Sequence, residues 1–323
     1  MNILVVIPVQ NCHKHLLESH MPNGKFIYKD PKTVTKDDVY NADIIIGNVN
    51  PQFIAGTKQL KWLQLNSAGT DGYCKEGILP SDAKLTNASG AYGLAISEHM
   101  IGLVLALQKK LYLYRDNQKL HLWKDEGTVT SIEGSTTLIV GMGDIGGTFA
   151  QKMKALGSYT IGIRKNIANK PDYIDELLPL ERLDSILSRA DIVALSLPGT
   201  KETYHLFDHA RISKMKKSAI LINVGRGNAI DMDALNDALI SDNLGGAGID
   251  VTDPEPFPST HPLWDAPRMI ITPHISGSYH LPETFERIVR IAAKNLKLFQ
   301  EGKELMNEVD FQTGYRRFKE VSK

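Results

Sequence analysis

An arginine, a glutamate and a histidine each stand just beyond a short apolar run in the last third of the sequence. They are Arg226 in AILINVGRGNAI, Glu255 in GAGIDVTDPEPFP and His274 in MIITPHISG. A guanidinium matches a carboxylate with two parallel hydrogen bonds. An imidazole can deliver a proton near neutral pH, and a carboxylate beside it favours the protonated ring. Arg226 lies between Gly225 and Gly227, so little side-chain bulk surrounds it, and Glu255 lies between Pro254 and Pro256, whose rings restrict the backbone. Together these groups can orient an organic acid and protonate a carbonyl oxygen while it is reduced. Each alone has a plainer reading: a helix-capping arginine, an exposed turn carboxylate with Asp253 as competitor, a structural histidine. Among the other histidines, His13, His15 and His20 are scattered near the amino terminus, and His99 lies within a helical pattern. His205, His209 and His261 sit in polar connecting sequence.

The reductant has its own signature. Gly141-Met142-Gly143-Asp144-Ile145-Gly146 fits G-x-G-x-x-G directly after the apolar run TLIV and before a helical stretch closed by Gly157. Gly141 permits a tight turn, Gly143 lets the backbone approach a pyrophosphate, and Gly146 allows close helix–strand packing. The N–H groups and dipole of the following helix face the phosphates, so Asp144 and Ile145 belong to the same site. At the end of the next strand an NAD-selecting fold carries an acidic residue for the ribose hydroxyls. Here the sequence reads Ile163-Arg164-Lys165-Asn166. Two cations and no acid favour the 2′-phosphate of NADP, Arg164 binding it bidentately. NAD remains the alternative, with Arg164 and Lys165 merely facing solvent.

These residues need strand ends to carry them. Short apolar runs alternate with helix-length amphipathic stretches, the pattern of βαβ units and a parallel sheet. The first series is NILVVIPV, KFIYK, ADIIIGN, KWLQLNS and KLTNAS. The second is STTLIVG, SYTIGI, DIVALSL, SAILINV, GAGID and RMIIT. Between the two series ISEHMIGLVLALQKKLYLYRDNQ predicts one long helix from Ile96, packed in a core or at an interface. Further helices are predicted over residues 146–156, 232–240 and 282–300, followed by a polar tail. The last helix is placed to cross back to the first domain, making that domain discontinuous.

At 323 residues the chain is long enough for two domains with sizeable cores. Lys+Arg and Asp+Glu balance at 37 each, so no global field favours nucleic acid or an anionic membrane. No run approaches the roughly 18 apolar residues of a membrane helix, and the start reads as a β-strand, not a secretory signal. Two cysteines, Cys12 and Cys74, make no disulfide framework. No metal site is expected, and the expected location is cytoplasmic.

Taken together, LIVGMGDIG, LSLPGTKETYHLF, NVGRGNAIDMDAL, IDVTDPEPFPSTHPLW and ITPHISG resemble the signatures of the D-isomer-specific 2-hydroxyacid dehydrogenase family, over nearly the whole chain. The resemblance implies an α/β fold of two Rossmann-like doubly wound parallel-sheet domains with an active-site cleft between them, usually as a homodimer formed through the cofactor domains. It implies a discontinuous substrate domain, 1–97 with 288–323, and a dinucleotide-binding domain, 98–287, with hinges near residues 95–97 and 286–289. It implies that Arg226 binds the substrate carboxylate, that His274 donates the proton and that Glu255 pairs with His274. Pro198, Val224, Gly225, Asp250 and Gly277 match positions lining the cofactor. Ser67, Ala68, Gly69 and Thr70 resemble a loop whose N–H groups cradle the substrate carboxylate, with Tyr92 and Tyr279 near the pocket. Formate dehydrogenases of this fold have glutamine in the place of Glu255, which disfavours formate. The absence of a further module after the second domain disfavours an allosteric serine-pathway enzyme. A cofactor-sensing corepressor-like binding protein, which keeps the same three residues, is the rival from another class. The substrate class stays open among glyoxylate, hydroxypyruvate and larger 2-oxo acids.

Overall fold

The computed structural model describes residues 1–70 and 72–317; residues 318–323 of the polar tail lie outside the described residues. The chain divides into two compact units, Met1–Tyr92 with Leu281–Lys323, and Gly93–His280.

In the first unit β1 (Asn2–Val5), β2 (Lys25–Tyr28), β3 (Ile44–Ile46), β4 (Trp62–Gln64) and β5 (Lys84–Thr86) form a parallel sheet in the order β2-β1-β3-β4-β5. This is a doubly wound order with its switch point between β1 and β3. The central strands are apolar on successive residues because both faces are covered. Leu4, Ile45 and Leu63 face one core. Ile3, Val5, Ile44, Ile46 and Trp62 face the other, with Leu17 of α1 (Asn11–His20) and Val289, Ala292, Ala293 and Leu296 of α10 (Pro282–Gln300). The two short helices on the remaining connections are α2 (Lys36–Tyr40) and α3 (Pro51–Ile54). Asn295 of α10 is fully buried; its amide donates to Gln64 Oε1 (2.8 Å) and to the Met306 carbonyl (3.0 Å), and its oxygen accepts from the Met306 N–H (2.7 Å). Where the sequence predicts only a polar tail, β13 (Val309–Asp310) and β14 (Tyr315–Arg316) pair antiparallel. Gly314 at φ +69° makes the turn, and the Asp310 carboxylate accepts from the Gln312 and Thr313 N–H groups.

In the second unit the strands are β6 (Thr136–Val140), β7 (Tyr159–Ile163), β8 (Glu176–Leu178), β9 (Ile192–Leu195), β10 (Ile220–Asn223), β11 (Gly246–Ile249) and β12 (Met269–Ile271). Their order is β12-β11-β10-β9-β6-β7-β8, all parallel. Counted from β6, this is the 3-2-1-4-5-6 dinucleotide-binding order with one strand added, and its switch point lies between β6 and β9. The sequence misses β8, a three-residue edge strand without an apolar run. The helices are α4 (Gly93–Gln108), α5 (Leu111–Lys119), α6 (Asp144–Ala155), α7 (Leu183–Ile186), α8 (His209–Ile212) and α9 (Met232–Ile240). The single long helix predicted from Ile96 is therefore two. Lys110 takes a left-handed φ of +57°, and its ammonium is held by the Glu126 carbonyl. Side-chain periodicity continues across that break, so the sequence conceals it. α4 packs on the sheet because β11 offers glycines: a Cβ on Gly248 would meet Leu103, and one on Gly246 would come within 3.3 Å of Leu107. Residues 95–97 fall inside α4 and residues 286–289 inside α10. Among the described residues no helix is long and apolar enough to cross a membrane, and no three His, Cys, Asp or Glu side chains group as a metal site.

Candidate active site

The strand order of the second unit turns scattered motifs into one edge. β12, β11 and β10 are neighbours and parallel, so His274, Glu255 and Arg226 all follow the carboxyl ends of adjacent strands. Beyond them come the β9 loop with Pro198, the glycine loop after β6, and Arg164 after β7.

His274 and Glu255 meet directly. His274 Nδ1 lies 2.8 Å from Glu255 Oε2, and the other carboxylate oxygen accepts the Thr252 N–H at 3.1 Å. A carboxylate only accepts, so Nδ1 carries the hydrogen and Nε2 is left for chemistry. Among the described residues Nε2 makes no hydrogen bond, and the ring is about half exposed (53%). The peptide bonds into Pro254 and Pro256 are both cis. His274 has φ +52°, a left-handed conformation that is uncommon outside glycine. What holds it there is Asp250, which is 1% exposed. Its backbone carbonyl accepts the His274 N–H at 2.7 Å. Its carboxylate accepts from the Ile275 and Ser276 N–H groups (3.0 Å each) and from Thr272 Oγ1 (2.6 Å).

Arg226 is half-buried and its Nη1 donates to the Gly225 carbonyl at 2.8 Å. Its two glycines are required for a more exact reason than low bulk. A Cβ on Gly225 would lie 2.3 Å from the Leu197 carbonyl oxygen, and one on Gly227 would lie 1.9 Å from the Thr252 carbonyl carbon. The arginine loop is wedged between the backbones that follow β9 and β11. Buried Asn223 shapes it, accepting from the Gly225 N–H (3.1 Å) and donating to the Arg226 carbonyl (3.0 Å).

The glycine loop divides its work among three positions. Gly141 has φ +101°, and its carbonyl accepts from Ser196 Oγ at 2.7 Å. A Cβ on Gly146 would overlap that carbonyl at 1.9 Å, whereas one on Gly143 would meet nothing within 4 Å. Open space over Gly143, beside the first N–H groups of α6 at Asp144 and Ile145, is a cradle for an anion. These residues fit the pyrophosphate of a dinucleotide. Asp144 also accepts the Gly93 N–H at 2.9 Å, tying α4 to this loop.

Arg164 directly follows β7; its guanidinium donates to the Asn169 carbonyl, and its Nε is buried without an acceptor among the described residues. Lys165 beside it is exposed. The Pro198 carbonyl accepts from Thr203 Oγ1 (2.6 Å), Val224 is nearly buried, and Gly277 is half-buried in the His274 loop. Burial pushes the Tyr279 hydroxyl up to about 12, which keeps it a hydrogen-bond donor at neutral pH.

In the first unit the loop after β4 is held open by side chains. Asn48 and Asn66 exchange side-chain-to-backbone bonds (2.6 and 3.0 Å), Ser67 Oγ accepts from Asn48 and donates to the Gly69 carbonyl, and Tyr92 donates to the Asn66 carbonyl. Asn87 holds the Ala68 carbonyl, and Thr70 Oγ1 donates to the Gly314 carbonyl. The backbone N–H groups of Ala68, Gly69 and Thr70 are paired with no acceptor among the described residues, an arrangement suited to an anion.

Sequence reasoning missed Thr272, Asn223 and Ser196, which shape the three loops without lying in a charged pattern. Their only signal is place: each sits at or next to a strand's carboxyl end.

The profile of the D-isomer specific 2-hydroxyacid dehydrogenase NAD binding domain matches residues 101–276. A glyoxylate reductase from Thermofilum pendens is 30% identical over 261 residues, 78% of this chain and 76% of the relative. A solved D-isomer specific 2-hydroxyacid dehydrogenase family protein from Aeromonas salmonicida superposes with a TM-score of 0.84 at 33% identity, covering 96% of this chain and 99% of that one. An NADPH-dependent glyoxylate/hydroxypyruvate reductase from Sinorhizobium meliloti, solved with NADP and sulfate, gives 0.82 at 25% identity, covering 97% and 99%. The chain belongs to the D-isomer specific 2-hydroxyacid dehydrogenases, oxidoreductases that work with a nicotinamide cofactor.

Proposed function

We propose that this protein is an NADPH-dependent reductase of a small 2-oxo acid. The observation that carries the reading is the His274–Glu255 pair: Nδ1 is committed to a carboxylate, and Nε2 has no hydrogen-bond partner among the described residues on a half-exposed ring. When bound, the cofactor supplies a hydride to C2 of the substrate. Arg226 holds the substrate carboxylate and offsets charge on the carbonyl oxygen. His274 Nε2 gives its proton to that oxygen, and Glu255 steadies the ring as it passes between its charged and neutral forms. Holding these groups in place lowers the barrier through orientation.

Arg164 and Lys165 support NADPH over NADH, because Arg164 Nε is buried without an acceptor and no carboxylate replaces it. The Sinorhizobium meliloti relative, NADPH-dependent and acting on glyoxylate or hydroxypyruvate by its description, supports both that cofactor and substrates of this size. A homodimer belongs to the same reading. Its support is the apolar surface of α5 and the following turn, where Leu111, Leu120 and Leu122 are exposed and Trp123 is fully so.

The test follows NADPH and NADH absorbance in parallel across a panel of 2-oxo acids. NADPH is expected to be oxidised faster, and Arg164→Ala to raise its KM about 10- to 100-fold with little effect on NADH. Faster turnover with NADH overturns the cofactor assignment, and no turnover with either overturns the reductase. Light scattering of the Trp123→Asp variant, expected to be monomeric, tests the dimer.

A further inference from the structure

A second histidine reaches the proton-donor loop from outside the signature segments. His99 on α4 places Nε2 at 3.1 Å from Thr272 Oγ1 and 3.9 Å from Asp250 Oδ1. Thr272 Oγ1 is 2.6 Å from Asp250 Oδ1, and the carboxylate only accepts, so the hydroxyl hydrogen points to Asp250. The hydroxyl's remaining lone pair then faces His99, whose Nε2 is the donor. The chain of bonds runs from His99 to Thr272, to Asp250, and on to the N–H groups of Ile275 and Ser276, with the Asp250 carbonyl on the His274 N–H.

We propose that His99 is a positioning residue for proton donation by His274. Its hydrogen bond orients Thr272, Thr272 orients the buried Asp250 carboxylate, and Asp250 holds the loop in which His274 keeps its left-handed backbone and its Nδ1 contact with Glu255. Such a loop conformation persists only where its surroundings determine it, and Asp250 has no other side-chain hydroxyl to fix its first oxygen among the described residues. The side chain of His99 is only 20% exposed, so solvent is a poor substitute for its donor. His99 touches no reacting atom and acts through the loop alone. The inference rests on the reductase reading for the role of His274, though the arrangement it describes exists without substrate.

The experiment uses the full chain with His99→Phe, which keeps an aromatic ring without the donor, and His99→Gln, whose amide restores an N–H near Nε2. One readout needs no turnover: the His274 imidazole resonance, assigned by its loss in His274→Gln and followed through a pH titration. The other is kcat, KM and the pH profile of 2-oxo acid reduction. In His99→Phe the His274 titration is displaced and kcat falls about 10- to 100-fold while the cofactor KM stays near wild type; His99→Gln recovers most of both. Should His99→Phe fail to fold, Thr272→Val removes the next link and is expected to displace the same resonance. A His274 titration and pH profile that match wild type in either folded variant overturn the proposal, whatever the level of activity. So does His99→Gln as impaired as His99→Phe. A wild-type protein that reduces no 2-oxo acid overturns the reductase reading instead, and the resonance still decides whether His99 governs His274.

Discussion

Asn295 in the first unit and Asp250 in the second are both buried polar side chains that tie a strand end to a distant segment, yet their networks end differently. Asn295 joins Gln64, which accepts from Thr86 Oγ1, which accepts in turn from the Trp62 indole N–H at 2.8 Å. Every member is buried, and the chain closes on the Met306 backbone. The Asp250 network starts as deep but runs outward through the 272–276 backbone to His274, whose ring is half exposed. A buried polar network that is satisfied throughout rigidifies a core. One with an open end transmits that rigidity to a group that reacts. The comparison teaches that depth marks the support and the exposed terminus marks the chemistry.

Breaking the exposed terminus has the largest expected effect. His274→Ala is expected to lower kcat about 10²- to 10⁴-fold, the usual contribution of a general acid, while NADPH binding measured by fluorescence is retained. Equal losses in turnover and binding would mean that His274 organises the cofactor site instead. Glu255→Gln is expected to cost less, about 10- to 100-fold in kcat, with NADPH binding again retained. A loss as large as that of His274→Ala would mean that Glu255 does more than orient the ring.

How far the site is legible in the sequence follows from the same contrast. Arg226, Glu255 and His274 carry charge in tight Gly and Pro settings, so they stand out, and strand alternation places each beyond a strand end. The glycine loop is legible for a similar reason, since Gly141 and Gly146 answer to backbone overlaps that no other residue avoids. Thr272, Asn223 and His99 are not legible, because a hydroxyl, an amide and a helical imidazole look ordinary until long-range pairing shows what they touch. The break at Lys110 hides for a related reason: its left-handed backbone is carried by a lysine whose ammonium donates to the Glu126 carbonyl, not by a glycine. The β13–β14 pair depends on Gly314 and Asp310, whose turn chemistry is readable but lies in a segment too short for a periodic signal.

The closed network should respond in stability and not in rate. Asn295→Ala leaves the Met306 N–H and carbonyl without their side-chain partner. It is expected to lower unfolding free energy by about 1–3 kcal/mol in urea melts, with kcat per folded molecule unchanged. A change in kcat at full folding would show that the two kinds of network are not separable.

A surface network sets the lower bound of the comparison. Asp184 on α7 accepts from Arg211 Nε (2.7 Å) and Lys214 Nζ (2.8 Å), and these hydrogen bonds, Lys214's the larger, hold its carboxyl below the usual range. A depressed folded value means the contribution is present above the ordinary carboxylate pKa and disappears as pH falls through the folded one. All three side chains are about one-third to one-half exposed, so solvent screens the pair to about 0.2–1 kcal/mol at most. Asp184→Asn is therefore expected to lower the melting temperature slightly at neutral pH, with the gap closing in strong acid and shrinking in high salt. A gap that survived both acid and salt would assign Asp184 a packing role at the start of α7. It would also show that exposure alone does not separate a solvated ion pair from a structural one.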